Sequence, residues 1–242
     1  MNFVEGEVLY VAKPLHWTSF NLVNKLRWKM QKTLQLKKLK VGHAGTLDPL
    51  ATGVMIICTG KSTKLIESFQ YQTKEYIATL KLGETTPCFD MELPVDGTYP
   101  TEHITRELIE SIIPQFKAEI WQVPPIYSAV KVDGKRAYDY ARDGQEVELK
   151  AKLLVIDEIE ILDFTLPILK IRVVCSKGTY IRALARDIGE ALGSGAHLIA
   201  LERTRIGDVK LEDCWQIDDL VQHVENEILK GQSTQLNEES CL

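Results

Sequence analysis

Residues 8–12 are continuously apolar and end at Lys13-Pro14, the pattern of a short buried strand. Thr18 or Ser19 then stands where a helix cap belongs. Phe20, Val23, Leu26 and Met30 recur at helical spacing through about Gln31, while Lys25, Lys29 and Lys32 fall on another face. The spacing predicts a helix with one core face and one cationic face. Residues 41–53 have the Gly, Thr, Asp and Pro content of a loop, residues 54–58 are β-branched enough for a buried strand, and a helix is expected near 61–69. Residues 76–82 alternate as a strand does, and 104–113 return to helical spacing. Residues 123–149 hold two adjacent prolines and little periodicity, which predicts an irregular excursion around a short helix near 136–142. Residues 153–164 and 168–175 alternate apolar and polar and read as a strand pair linked at Pro167. Thr179 is placed to cap a helix to about Leu192 that buries Ile181, Leu184, Ala185 and Ile188. The sum is a mixed α/β domain ending near residue 210, with an acidic helix at about 215–230.

Composition narrows the class. The chain has 242 residues, 45% hydrophobic and 26% charged, so a disordered chain, a fibrous chain and a staple-dependent miniprotein are excluded. Five cysteines, without a Cys-x-x-Cys pair, suggest neither a disulfide framework nor a zinc site, and a reduced, cytoplasmic protein is expected. The acidic start lacks the basic and apolar regions of a signal peptide, and no apolar run approaches the roughly 20 residues that span a bilayer. A net charge of −5 argues at first against nucleic acid. Its distribution reverses that. Residues 8–47 carry Lys13, Lys25, Arg27, Lys29, Lys32, Lys37, Lys38 and Lys40 with no Asp or Glu, whereas residues 208–242 carry nine acids against Lys210 and Lys230. An acidic tail masks a basic N-terminal region.

Few segments have the make-up of a chemical site. Gly60-Lys61-Ser62 lacks the preceding glycine of a phosphate-binding loop, because position 55 is Met within an apolar strand. No Gly-x-Ser-x-Gly elbow, His-Glu-x-x-His pair or Cys/His cluster is present. Residues 42–53 are different. They surround a single carboxylate, Asp48, with Gly42, Gly45, Gly53 and Pro49 directly before a buried strand, more apparatus than a turn requires. In residues 175–189, Arg182 falls in the first turn of the predicted helix, where the macrodipole disfavours a cation, and Arg186 adds like-charge repulsion four residues on. A nearby anion would resolve both costs, with Asp48 or a bound phosphate as candidates.

Together these segments resemble the TruB family of tRNA pseudouridine synthases. Lys13-Pro14 with Trp17-Thr18-Ser19 is similar to the family's first motif, and Gly42-His43-Ala44-Gly45-Thr46-Leu47-Asp48-Pro49-Leu50-Ala51-Thr52-Gly53 to its catalytic loop. Lys74-Glu75-Tyr76 is similar to its tyrosine strand, and residues 122–129, with Lys131, Gly134, Tyr138 and Arg142, to its next block. Gly178 to Gly189 resembles its arginine motif, and Leu201 with Arg203-Thr204 closes the series. His16, where the family usually has Gly, and Thr85-Thr86-Pro87-Cys88-Phe89-Asp90 depart from the pattern.

The resemblance implies a pseudouridine synthase catalytic fold, with a mixed, mainly antiparallel central sheet flanked by helices and loops. It implies a catalytic domain over residues 1–210 and a short acidic tail over 211–242, too few residues for the RNA-binding PUA domain of many relatives. It also implies isomerisation of uridine 55 in the T-loop of tRNA, with no metal or organic cofactor. Asp48 would be the nucleophile, Arg182 its cationic partner, and Tyr76 would stack on the uracil. Lys13 and Pro14 would support the loop, and His43 would fill the space left by the flipped base. Gly45, Thr46, Tyr127, Lys131, Arg142, Lys177, Gly178, Tyr180 and Leu201 complete the substrate-binding set. The T-arm of tRNA is the expected partner, for a monomer needing no protein partner and no membrane. A non-catalytic tRNA-binding module and a synthase directed by a separate RNA are the alternatives.

Overall fold

The computed structural model describes the backbone of residues 1–145 and 147–239, and side chains through residue 230 apart from residue 146. In chain order the first stretch is β1 (Val8–Lys13), α1 (Ser19–Thr33), β2 (Val41–His43), β3 (Ala51–Thr59) and α2 (Ile66–Tyr71), the last preceded by a 3-10 turn. Next come β4 (Lys74–Leu82), β5 (Glu84–Thr85), β6 (Gly97–Thr98), α3 (Arg106–Ile112), β7 (Ala118–Gln122), β8 (Lys131–Val132), β9 (Lys135–Arg136) and α4 (Ala137–Arg142). The chain ends with β10 (Lys152–Thr165), β11 (Ile168–Cys175), α5 (Ile181–Ala191), β12 (Ala196–Ile206), β13 (Val209–Lys210), β14 (Trp215–Gln216) and α6 (Ile217–Glu239). The fold is mixed α/β, as expected, and divides into two compact units, residues 1–72 with 203–242 and residues 73–202. Among the described residues no helix is long and apolar enough to cross a membrane.

In the first unit β1 lies between β3, antiparallel, and β14, parallel, and β2 pairs with β3. Ala44, Val54, Ile56, Cys58 and Ile206 form a fully buried cluster there. Thr18 caps α1 by accepting the Asn21 N–H at 3.0 Å. The buried stripe of α1 is Ser19, Leu22, Val23, Leu26 and Met30. Phe20 is not part of it: one position off the i, i+3, i+4 row, it is 63% exposed. Leu220, Val224 and Ile228 bury the inner side of α6, which packs along α1. Residues 41–53 are not all loop either, since β2 and the start of β3 leave a turn only over 44–50. Gly53 is the reason a glycine-rich stretch can be strand. Its φ is +108°, and a Cβ there would stand 2.2 Å from the Arg203 carbonyl oxygen, so the glycine serves a close backbone approach.

In the second unit the strand order is β12-β4-β11-β10-β7, and the three pairs from β4 to β7 are antiparallel. Burial alternates strictly along β4, the pattern of a strand packed on one face. β7 and β12 have no counterpart among the predicted strands. The described residues between 123 and 149 hold only the short elements β8, β9 and α4. The start of α5 also differs from expectation. Tyr180, not Thr179, is the cap residue, and the Thr179 hydroxyl donates to the Ser176 carbonyl at 3.1 Å. The Tyr180 N–H is served by the side chain of Gln122, whose Oε1 accepts it at 2.9 Å and whose Nε2 donates to the Tyr180 carbonyl at 3.2 Å. A fully buried glutamine on β7 therefore replaces a local cap.

Candidate active site

In the first unit the 44–50 turn is held from three sides. Lys13, at the end of β1 and 1% exposed, donates through Nζ to the Pro14 carbonyl at 2.9 Å, the Trp17 carbonyl at 2.6 Å and, more weakly, the Pro49 carbonyl at 3.5 Å. Ser19, at the start of α1, accepts the Leu47 N–H and donates to the Leu47 carbonyl, both at 2.9 Å. Arg203, also 1% exposed, donates from Nε to the Val54 carbonyl at 2.8 Å and from a terminal nitrogen to the Gly45 carbonyl at 3.1 Å. Gly45 has φ +91°, a conformation that a side chain would strain. Asp48 projects from a turn that is thus fixed before any substrate arrives, and its carboxyl is partly exposed.

The electrostatics follow from this packing. Burial lowers the Lys13 pKa to about 8, with Asp48 pulling it back up and Arg203 pushing it further down. His43 is held below its ordinary value, first by burial and then by the Arg203 charge, so its ring is neutral at neutral pH. Among the described residues, the buried Nδ1 of His43 meets no hydrogen-bond partner within the usual distance and angle limits. Burial pushes the thiol of Cys58 up to about 11, which removes it as a nucleophile. Of the predicted residues, Lys13, Pro14, His43, Gly45, Thr46 and Asp48 gather on this unit, with Thr46 exposed at the tip of the turn.

The second unit carries the rest. Arg182, in the first turn of α5 and 5% exposed, donates to the carbonyls of Cys88 at 3.0 Å and Tyr127 at 2.9 Å. Its Nε lies 3.6 Å from the carboxylate of Asp90, itself buried. Asp90 is an anion that the sequence reading did not name for this cation. Tyr127 meets Tyr138 edge to face at 6.3 Å between ring centroids, and the Arg142 guanidinium lies over the Tyr138 ring at 5.7 Å. Tyr76 is buried on β4 in register with Val173 of β11. Lys177, Gly178 and Tyr180 form the turn into α5, Lys131 is exposed on β8, and Leu201 is half-buried on β12. Gly178 has φ +90° with no heavy atom near its would-be Cβ, so that turn is open. Arg186 pairs with Asp187 at 2.6 Å and stacks over Phe89 at 4.8 Å.

Two supports were missed by the site reading. Arg203 closes a recognised motif, but its contacts to residues 45 and 54 are long-range and have no local signature; the same holds for Asp90 with Arg182. Among the described residues, no group of three or more His, Cys, Asp or Glu side chains is placed to hold a metal ion.

A turn built to present one carboxylate agrees with the likeness to known proteins. Residues 31–181 match the TruB family pseudouridylate synthase N-terminal domain, and residues 182–238 match the tRNA pseudouridylate synthase B C-terminal domain. The tRNA pseudouridine synthase B of Parabacteroides distasonis is 66% identical over 95% of this chain and 98% of its own length. That of Phocaeicola vulgatus is 71% identical over 90% and 93%. Among solved structures, the Cbf5-Nop10-Gar1 complex contains a chain that is 30% identical with a TM-score of 0.66; the match covers 91% of this chain but 54% of that one, about half its length. By both family models and these relatives, the chain belongs to the TruB family of pseudouridine synthases.

Proposed function

We propose that the protein is a tRNA pseudouridine synthase that isomerises uridine 55 of the T-loop. The carrying observation is the Asp48 turn, in which Lys13, Ser19 and Arg203 fix the backbone around one partly exposed carboxylate. The reaction breaks the N1–C1′ glycosidic bond, turns the uracil and rejoins it through C5. It needs no redox partner and adds no atoms. One nucleophile, attacking the ribose C1′ or the pyrimidine C6, and one base for the C5 proton suffice. Asp48 takes the first role, Arg182 contributes a cation, and Tyr76 stacks on the uracil. A base stacked in a folded loop must be flipped to reach Asp48, at a cost of a few kcal/mol offset by stacking and phosphate contacts. His43, neutral and half-buried, fills the vacated space. Pro14, Gly45, Thr46, Tyr127, Lys131, Arg142, Lys177, Gly178, Tyr180 and Leu201 line the RNA. The enzyme acts in the cytoplasm as a monomer on tRNA alone, through a catalytic domain of residues 1–210 and an acidic tail.

The test is tritium release from unmodified tRNA labelled at uracil C5, with the product position mapped. Wild type releases tritium from position 55 without any added RNA or protein. Asp48→Asn folds and binds a T-arm stem-loop but releases none; release by the variant would remove Asp48 as nucleophile. Wild type that binds the stem-loop and releases nothing would be a binding module instead. Release only when a second RNA is added would identify a guided synthase, the setting suggested by the H/ACA RNP bound to a substrate RNA, 28% identical with a TM-score of 0.64.

A further inference from the structure

We propose that the C-terminal half of α1 and the turn after it form a second RNA-contacting surface. It takes the phosphodiester backbone of tRNA outside the loop that carries the target uridine, and Trp28 stacks there on an exposed base or ribose. The proposal rests on the tRNA reading above and extends it to residues that reading leaves unused.

Trp28 is 60% exposed, and Lys32 Nζ lies 5.0 Å from its ring centroid. The turn over 34–40 is tied back onto the helix rather than loose. The Leu36 N–H donates to the Gln31 carbonyl at 2.9 Å, Gln31 Nε2 donates to the Lys37 carbonyl at 3.2 Å, and Arg27 donates to the Val41 carbonyl at 2.9 Å. Lys37, Lys38 and Lys40, all exposed, are thereby held beside the last turn of α1. The neutralisation of this helix is uneven. Lys25 pairs with Asp218 at 2.5 Å and Lys29 with Glu225 at 2.6 Å, both from α6. Among the described residues no carboxylate pairs with Lys32, Lys37, Lys38 or Lys40, and residues 8–47 contain none. Four cations without a carboxylate partner among the described residues, one of them over an exposed indole, are complementary to a polyanion that also offers flat rings. RNA is that polymer: its bases stack on aromatic side chains whatever their sequence, and each phosphate neutralised adds a salt-dependent term.

Geometry separates this surface from the reacting base. Ser19, at the start of α1, is bonded to Leu47 of the Asp48 turn. At a rise of about 1.5 Å per residue, Trp28 lies roughly 13 Å and Lys32 roughly 20 Å along the helix from Ser19. RNA seated there is several nucleotides from a uridine at Asp48.

The experiment compares wild type, a Lys32/Lys37/Lys38/Lys40→Gln variant and Trp28→Ala on full-length unmodified tRNA and on a T-loop trimmed to its closing base pairs. All five side chains are exposed, so both variants fold, as circular dichroism checks. The quadruple variant is expected to flatten the slope of log affinity against log salt by about 3 on full tRNA. Its KM for tRNA rises tenfold or more with kcat unchanged, and the trimmed loop is unaffected. Trp28→Ala raises the same KM several-fold. Trp28 fluorescence, read as wild type minus Trp28→Ala, is quenched by tRNA and not by inorganic polyphosphate or anionic phospholipid vesicles. Unchanged slope and KM would overturn the proposal. So would an equal loss on the trimmed loop, which would place these residues in the site already described, or quenching by polyphosphate or vesicles, which would remove RNA as the partner. If wild type binds tRNA with the steeper slope but isomerises nothing, the catalytic reading fails and this surface stands.

Discussion

The three protons of the Lys13 ammonium are directed at three carbonyl oxygens, and burial has brought its pKa down to about 8, so the support beneath Asp48 titrates close to neutrality. Two consequences run in opposite directions. In the unfolded chain Lys13 titrates near 10.5, so between about pH 8 and 10.5 the unfolded state binds the extra proton and Lys13 makes the fold more stable as pH rises. The neutral amine, however, has only two protons for three carbonyls and no charge to set against Asp48. Single-turnover isomerisation should therefore fall above about pH 8, over a range in which urea midpoints do not fall on account of Lys13. Lys13→Arg, which stays charged, should move that falling limb above pH 10 even if its overall rate is lower. A wild-type rate that stays flat to pH 10 would show that the charge on Lys13 does not matter to the turn. Single residues were also where sequence reasoning reached its limit. Asp48 was legible because three glycines and a proline surround it locally, whereas Arg203 and Asp90 act through partners roughly 90 to 158 positions away. No spacing rule sees such a contact.

At the level of elements, the legible parts were those whose burial follows one period. α1 was predicted within two residues at its end, and β4, β10, β11 and α5 lie where alternation or helical spacing placed them. β7 was missed because it is an edge strand whose Glu119 and Trp121 are exposed, leaving no run of buried apolar residues. β12 was missed because Ala196–Ile206 mixes buried Ala196, His197, Leu198, Arg203 and Ile206 with half-exposed Glu202 and Arg205, which fits neither period. Gly53 was read as loop punctuation, although its role is contact. That role gives a prediction. Gly53→Ala must hold φ near +108° and place a methyl 2.2 Å from the Arg203 carbonyl oxygen. The expected loss is roughly 2–4 kcal/mol, seen as a lower urea midpoint with unchanged slope, together with lower kcat because Arg203 also holds Gly45. Gly178→Ala, with open space around it, should cost only its backbone strain of about 1–2 kcal/mol. Equal losses at the two positions would refute the contact argument.

For the whole molecule, the net charge of −5 describes no surface that a ligand meets. The acidic tail is not simply remote from the basic N-terminal region, because α6 lies along α1 and returns Asp218 and Glu225 to Lys25 and Lys29. These pairs are partly or largely exposed, with Asp218 84% accessible, so they contribute little to stability, at most about 1 kcal/mol each. Their effect is on what else the lysines can do. A lysine already paired releases fewer counterions when RNA arrives, so the tail limits the number of phosphates that α1 can neutralise. Asp218→Asn with Glu225→Gln keeps size and hydrogen-bonding capacity while freeing both cations. The double variant should steepen the salt dependence of RNA binding by about 1.5 in log–log slope. Non-cognate single-stranded RNA should bind several-fold more tightly at low salt, and the thermal midpoint should move little. Filter binding across a salt series measures this directly. A slope identical to wild type would mean that Lys25 and Lys29 face away from RNA even when unpaired, and the role of α6 would then be confined to burying Leu220, Val224 and Ile228.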